Sequence, residues 1–184
     1  ALANGVHLHR LQSSEIRMME PEVSAVAGLY SETTGIIDSH SLLVSLLGDM
    51  ESFGGIVAYN TTVEEMAISG KKVRVSTPDT DLLCTWLINC AGLEAPNLAS
   101  KITDDKPPRL FSHGRYFSYS GPSPFSGLVY PMPEKGGLGI HFTKDLAAQG
   151  KFGPDVYWRD KVDYTFPDEE ELKLRFLAAI EKYY

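Results

Sequence analysis

The sequence predicts a mixed fold of the α+β or α/β type, in which two regions differ in pattern. The first region carries a helix, a strand and a β-meander, and the second alternates like an antiparallel sheet and ends in a helix. The most informative segment is residues 123–155, which is rich in Gly and Pro yet contains two strand patterns. Residues 125–130 and 138–143 are separated by a short turn that contains Gly, which predicts a β-hairpin.

In the first region, a short helix over residues 13–19 should end before Pro21, because the residue before Pro avoids the helical conformation. Asp38 is a favourable N-cap for a helix over residues 39–53, which ends at Gly54. Apolar residues at helical spacing form a stripe along that helix, namely Leu42, Leu43, Leu46, Leu47, Met50 and Phe53. The predicted strands of this region are residues 23–30, 56–59, 62–68, 72–77 and 82–90.

The second region follows a charged, Pro-rich stretch at residues 103–108, which we interpret as a linker. It divides the chain into a first domain over residues 1–102 and a second over residues 103–184. Pro167 and the acidic residues after it favour the start of a last helix. The predicted strands of the second domain are residues 115–120, 125–130, 138–143 and 151–158.

The composition limits the classes of function. A hydrophobic content of 43% indicates a folded core. The net charge of −7 argues against a nucleic-acid-binding surface, although an anionic substrate remains compatible because local fields determine a site. No run is long enough for a membrane helix, and no signal peptide opens the chain.

The two cysteines, Cys84 and Cys90, lie in one predicted strand on the same face. They are too far apart along it for a disulfide. We expect buried thiols in a reducing compartment, and the pair lacks the further ligands of a metal site.

Several motifs together resemble a known family. The sequence YPMPEKGGLGIHFTKD at residues 130–145, followed by FGPD at residues 152–155, is similar to the substrate domain of the FAD-dependent L-2-hydroxyglutarate dehydrogenases. These belong to the flavoproteins that resemble D-amino-acid oxidase. Further motifs occur in the family's order, namely NGV at 4–6, EPE at 20–22, TGIIDSH at 34–40, NCAGL at 89–93 and YFS at 116–118.

The resemblance implies FAD as the cofactor, yet the G-x-G-x-x-G loop that holds the pyrophosphate in such proteins is missing from these residues. We therefore expect an internal fragment that lacks this N-terminal segment and the C-terminal flavin-binding segment, and that is inactive alone. Residues 1–102 would be part of the FAD-binding domain, with some crossover into the substrate domain, and residues 103–184 the substrate domain. The alternative is a complete small protein that resembles only the substrate half.

The implied reaction is the oxidation of L-2-hydroxyglutarate, or a related 2-hydroxy acid, by hydride transfer to the flavin. His141 is the candidate base, because a histidine near neutral pKa suits removal of the hydroxyl proton. Strand alternation places it with Thr143 on the face opposite Ile140 and Phe142. A histidine that only hydrogen-bonds within the sheet is the alternative. Other hypotheses are an amine or amino-acid oxidase of the same superfamily, and a standalone fragment that binds no flavin.

Candidate substrate-binding residues are Thr143, Tyr116, Tyr130 and Arg115. A hydroxyl or a phenol in a pocket wall can bond a dicarboxylate, but each is equally an ordinary strand or packing residue. The family pattern has a basic residue, often Lys or Arg, where this sequence has His113, and Arg115 is the candidate to replace it. Adjacent strand positions, however, face opposite ways.

Candidate cofactor-binding residues rest on the resemblance alone. They are Val63, at the adenine end, and Ala91, Gly92 and Leu93, on the flavin side. A tight turn after a strand explains Gly92 equally well. The resemblance also implies a small dicarboxylate substrate, a mitochondrial or cytoplasmic location, and contact with an electron acceptor or a membrane surface. It leaves the oligomeric state open.

Overall fold

The computed structural model describes residues 1–104, 108–133, 137–166 and 169–184. These residues form two compact units. The first comprises Ala1–Ser45, Ser112–Trp158 and Asp163–Tyr184, and the second comprises Leu46–Phe111 and Arg159–Val162. The predicted mixed fold with antiparallel sheets is confirmed. The first 45 residues group with the C-terminal sheet, and the middle of the predicted linker, residues 105–107, lies outside the described residues.

The first unit begins with a small two-stranded sheet. Strand β1 (His9–Gln12) pairs antiparallel with β2 (Ala27–Tyr30), and helix α1 (Ser13–Met19) lies between them in sequence. The Glu15 carboxylate accepts the backbone N–H of Gln12 at 2.7 Å, which completes a capping box at the start of α1. The predicted strand over residues 23–30 forms only in its last four residues.

The main sheet of the first unit has the strand order β6-β8-β7. Its strands are β6 (Phe111–Ser118), β7 (His141–Lys144) and β8 (Gly150–Arg159), and β7 and β8 run antiparallel. The core lies on one face of this sheet, where Phe142 is fully buried. The ring of Phe142 packs edge-on against the rings of Phe125 and Phe152, with ring centroids 5.0 and 5.1 Å apart. Helix α4 (Glu169–Ile180) covers this core, and the predicted acidic residues Glu169, Glu170 and Glu171 form its first turn. Pro167 and Asp168, also predicted to open this helix, lie outside the described residues.

Residues 125–130 do not form the predicted strand. They make one antiparallel bridge, in which Val129 and Phe142 exchange backbone hydrogen bonds of 2.9 and 3.2 Å. The Glu20 carboxylate accepts the backbone N–H groups of Ser126 at 2.8 Å and Gly127 at 2.5 Å. These donors are therefore unavailable for a strand ladder, which explains why the predicted hairpin is reduced to a bridge.

Helix α2 (Ser39–Ser52) matches its prediction closely. The Asp38 carboxylate accepts bonds from the backbone N–H of Ser41 at 3.0 Å and from its hydroxyl at 2.8 Å, so Asp38 is the N-cap. These bonds hold the pKa of Asp38 below its usual value. The apolar stripe of α2 is exposed or half-buried in the structure, with Leu43 66% exposed.

The second unit is built on an antiparallel meander. Its strands are β3 (Glu65–Ser69), β4 (Lys72–Ser76) and β5 (Asp81–Cys84), which confirms the predicted hairpin. The predicted strand over residues 82–90 ends at Cys84, and residues 56–59 lie in coil and a turn. Both cysteines are free, but Cys84 is half-buried and Cys90 is exposed, so the expectation of two buried thiols is wrong. A short helix, α3 (Ala95–Ala99), follows. The helices in the described ranges fall short of the length and apolar character needed to cross a membrane.

Candidate functional site

A pocket of about 620 Å³ opens in the first unit, beside strand β7. It brings together four residues that the sequence predicted for the site, namely Tyr116, Tyr130, His141 and Thr143. The remaining lining residues come from the start of α2 and the segment before it, from the end of β7, and from the loop and strand β8 that follow. They are Ile36, Ile37, Asp38, Ser39, Lys144, Asp145, Leu146, Ala147 and Lys151.

His141 is held in a defined protonation state. Its Nδ1 lies 3.1 Å from the Gly139 carbonyl oxygen, which can only accept a hydrogen bond. In a neutral ring, Nδ1 therefore carries the hydrogen and Nε2 carries the free lone pair. Burial lowers the pKa of His141 below 6.5 and outweighs the bond to Gly139, which acts in the opposite direction. At neutral pH the ring is thus an uncharged base.

The imidazole is also fixed in orientation. The ring of Tyr130 stacks on it, with centroids 4.2 Å apart and planes inclined by 22°. The Tyr183 hydroxyl donates to the Ile140 carbonyl at 3.0 Å, next to His141, and burial raises the pKa of Tyr183 to about 12. Gly139 has φ +75, and a Cβ there would lie 3.1 Å from the Pro131 side chain, so this turn requires glycine.

Tyr116 contributes a neutral phenol. Burial raises its pKa above 10.0, and the neighbouring Tyr130 adds to the shift. Tyr116 therefore remains a hydrogen-bond donor across the physiological range.

The sequence did not predict two lysines that line the pocket, Lys144 and Lys151. Lys144 donates from Nζ to the Ser126 carbonyl, and the Nζ of Lys151 lies 5.2 Å from the centroid of the Tyr116 ring. Lys151 stands opposite Thr143 in the register of β7 and β8. Strand alternation in residues 151–158 was visible in the sequence, but the register that joins Lys151 to Thr143 was not.

The two carboxylates in the lining are engaged locally. Asp38 caps helix α2. The Asp145 carboxylate accepts the backbone N–H groups of Ala147 and Gln149, both at 2.9 Å. Their negative charge is thus partly satisfied by backbone and hydroxyl donors of their own turns.

Arg115 is not in the pocket, which corrects its prediction as a substrate ligand. It is 2% exposed, and its guanidinium pairs with the buried Asp155. The other oxygen of Asp155 accepts from Arg175 of α4 at 2.9 Å, and the Tyr157 ring lies 4.6 Å from the Arg115 guanidinium carbon. Because neighbours on a strand face opposite ways, Tyr116 on the pocket face places Arg115 on the other face.

The residues predicted to bind the cofactor lie in the second unit. Ala91, Gly92 and Leu93 form a turn after β5 that leads into α3, and Val63 is half-buried in the coil before β3. Gly92 has φ +57, and a Cβ there would meet no atom within 4 Å. The Asn89 side chain braces the turn with bonds to Ala95 and Ala91 of 2.8 and 3.2 Å. The turn therefore presents open, ordered backbone, which fits the close approach of a dinucleotide.

Comparison with known proteins agrees with these features. The sequence is 32% identical to the mitochondrial L-2-hydroxyglutarate dehydrogenase of Arabidopsis thaliana, over 96% of this chain and 46% of that protein. The chain thus spans about half the length of this relative. The fold is similar to that of the FAD-bound L-α-glycerophosphate oxidase of Mycoplasma pneumoniae, with a TM-score of 0.81 at 21% identity, over 97% of this chain and 50% of that one.

A second solved structure with this fold is glycine oxidase from Geobacillus kaustophilus. Its TM-score is 0.71 at 15% identity, and the match covers 99% of this chain and 50% of that one. At such identities the two structures support the fold alone. The sequence profile of the family described as FAD dependent oxidoreductase matches residues 1–184. The chain therefore belongs to the FAD dependent oxidoreductase family.

Proposed function

We propose that this chain supplies the substrate pocket of an FAD-dependent dehydrogenase that oxidises L-2-hydroxyglutarate, or a related 2-hydroxy acid, to the 2-oxo acid. The observation that carries the proposal is His141, whose Nδ1 faces the Gly139 carbonyl while burial keeps the ring neutral. The 32% identity to a dehydrogenase of that name supports the choice of substrate.

The proposed reaction requires one residue that accepts a proton. Oxidation of a secondary alcohol removes a proton from the hydroxyl and a hydride from the carbon that bears it. Bound FAD would supply the acceptor for this hydride. Nε2 of His141 accepts the hydroxyl proton, and the stacked Tyr130 holds the imidazole plane while it does so. Thr143 and the phenol of Tyr116 donate hydrogen bonds to the carboxylate beside the reacting carbon.

We infer that the second unit is part of an FAD-binding domain. The backbone of Ala91, Gly92 and Leu93 would approach the cofactor at the turn where Gly92 leaves open space. Val63 would meet its adenine end. In the predicted division, residues 1–102 serve the FAD-binding domain with some crossover and residues 103–184 the substrate domain. Residues 1–45 would be that crossover, because they group with the C-terminal sheet. A reducing compartment suits the two free cysteines, and the Arabidopsis relative is named as mitochondrial.

The test is flavin reduction by a panel of substrates in the FAD-loaded protein, by which we mean a protein that carries this chain together with a G-x-G-x-x-G loop. We expect L-2-hydroxyglutarate to bleach the flavin absorbance much faster than glycine, L-proline or L-α-glycerophosphate. An equal or faster rate with an amino acid would favour the amino-acid oxidase alternative. A protein that is reduced by none of these compounds would contradict the proposal.

A further inference from the structure

We propose that Lys151 binds the second carboxylate of a dicarboxylate substrate and thereby sets the preference of the pocket for diacids. The inference rests on the proposed function and names the residue that would make that function specific. It begins from the register of β7 and β8, in which Lys151 stands opposite Thr143, and Gly153 stands opposite His141. Residues opposite each other in an antiparallel pair have their side chains on one face.

This register places His141 and Lys151 on the same face of the sheet, at a separation that a five-carbon diacid can span. Diagonal neighbours across an antiparallel pair are about 7–8 Å apart at the backbone, and His141 and Lys151 stand in this relation. In a 2-hydroxy diacid of five carbons, the second carboxylate lies three carbon–carbon bonds beyond the carbon that bears the hydroxyl. A substrate whose hydroxyl reaches His141 can therefore extend its far end towards the flexible Lys151 side chain.

The ammonium group of Lys151 is available for an anion. It lies 5.2 Å from the centroid of the Tyr116 ring, whereas the Nζ of Lys144, the other lysine in the lining, donates to the Ser126 carbonyl. The pocket carboxylates of Asp38 and Asp145 accept bonds from their own turns. A substrate carboxylate beside Lys151 would gain a charge-assisted hydrogen bond that a methyl group at the same position would not.

The experiment compares two substrates of equal carbon number in the FAD-loaded protein, L-2-hydroxyglutarate and L-2-hydroxypentanoate. We expect Lys151→Met to raise KM for L-2-hydroxyglutarate about tenfold or more, with a smaller change in kcat, because ground-state binding is lost. The kcat/KM for L-2-hydroxypentanoate should stay close to the wild-type value. Lys151→Arg should restore much of the preference for the diacid. Lys173→Met, on the surface of α4 where Lys173 pairs with Glu169 and Glu170, is the matched control and should behave as wild type.

Binding of glutarate separates this inference from the proposed function, because glutarate is a five-carbon diacid that lacks the hydroxyl group and cannot be oxidised in this reaction. Its affinity is read from the shift of the flavin absorbance, with butyrate as the mono-acid control. If the wild type oxidises L-2-hydroxyglutarate but Lys151→Met keeps the preference for the diacid, the role of Lys151 is overturned and the proposed function stands. If the wild type does not oxidise L-2-hydroxyglutarate, the proposed function fails. A loss of glutarate affinity in Lys151→Met would then still support the carboxylate site, and unchanged affinity would overturn it.

Discussion

The two units of the molecule differ in the size of their buried apolar cores. In the first unit, Phe142 is fully buried, and aromatic rings and helix α4 close the core beneath the pocket. In the meander of the second unit, the buried apolar side chains are Met66 and Val75, while Trp86 and Ile88 after it are 86% and 82% exposed. The pocket of the first unit therefore lies on an aromatic core of its own, whereas the turn at residues 91–93 follows a meander with a smaller buried core.

The largest expected effect concerns the cofactor. The turn at residues 91–93 offers open backbone, but these 184 residues lack the G-x-G-x-x-G loop that supplies most of the anchoring bonds to a pyrophosphate. We expect the 184-residue chain alone to lose FAD on desalting, as read from its visible spectrum. A flavin band that survives desalting would contradict this expectation and show that these 184 residues are sufficient to hold FAD.

The buried ion pair of the first unit should be the next most sensitive feature. Asp155→Ala leaves the Arg115 guanidinium buried without its carboxylate, so the free energy of unfolding should fall by about 3–5 kcal/mol. The control is Asp81→Ala in the second unit, which breaks a half-exposed pair with Arg74 of 3.6 Å and should cost less than about 1 kcal/mol. Denaturant unfolding measures both, and similar losses would remove the contrast between the units.

A smaller difference in the loss of stability should separate alanine substitutions at two glycines. Gly139→Ala combines φ +75 with a Cβ only 3.1 Å from Pro131 and should cost about 1–3 kcal/mol. Gly70→Ala has a similar φ of +63 with no atom within 4 Å, so only the backbone strain of about 1–2 kcal/mol applies. Thermal unfolding compares them. Equal losses would mean that the turn before His141 is no more constrained than the exposed hairpin turn.

The pH dependence of stability should show the smallest effect. Burial lowers the pKa of His141 below 6.5 in the folded chain. In the pH window between the folded pKa and the unfolded pKa of about 6.5, the unfolded chain therefore binds more protons than the folded chain. The free energy of unfolding therefore falls as pH drops through this window, by at most about 1.4 kcal/mol per pH unit. His141→Gln should flatten this part of the wild-type profile. Identical slopes in the two proteins from pH 7 to pH 5 would contradict the lowered pKa.

The local patterns of the sequence predicted the parts of the fold that depend on near neighbours. The N-cap at Asp38, helix α2 and the hairpin of β3 and β4 follow from spacing and turn chemistry, and they are confirmed. Alternation around His141 also predicted that Phe142 faces the core while His141 and Thr143 face the pocket.

The parts that the sequence could not predict depend on contacts between distant residues. The predicted strand at residues 125–130 is lost because Glu20, more than a hundred positions earlier, takes its N–H groups. Arg115 is drawn into the core by Asp155, 40 positions later. Lys151 enters the pocket through a strand register, and no local pattern encodes that register.

The most direct test of the central claim is the rate of flavin reduction in His141→Ala. In a single-turnover experiment with L-2-hydroxyglutarate and the FAD-loaded protein, we expect the rate to fall by about 10²–10⁴-fold. Substrate binding and the thermal midpoint should change little, because water can refill a pocket-facing site. If His141 instead serves only the structure, the variant would lose about 1 kcal/mol or more of stability and reduce its flavin at the wild-type rate per folded molecule. A wild-type rate in this variant would contradict the assignment of His141 as the base.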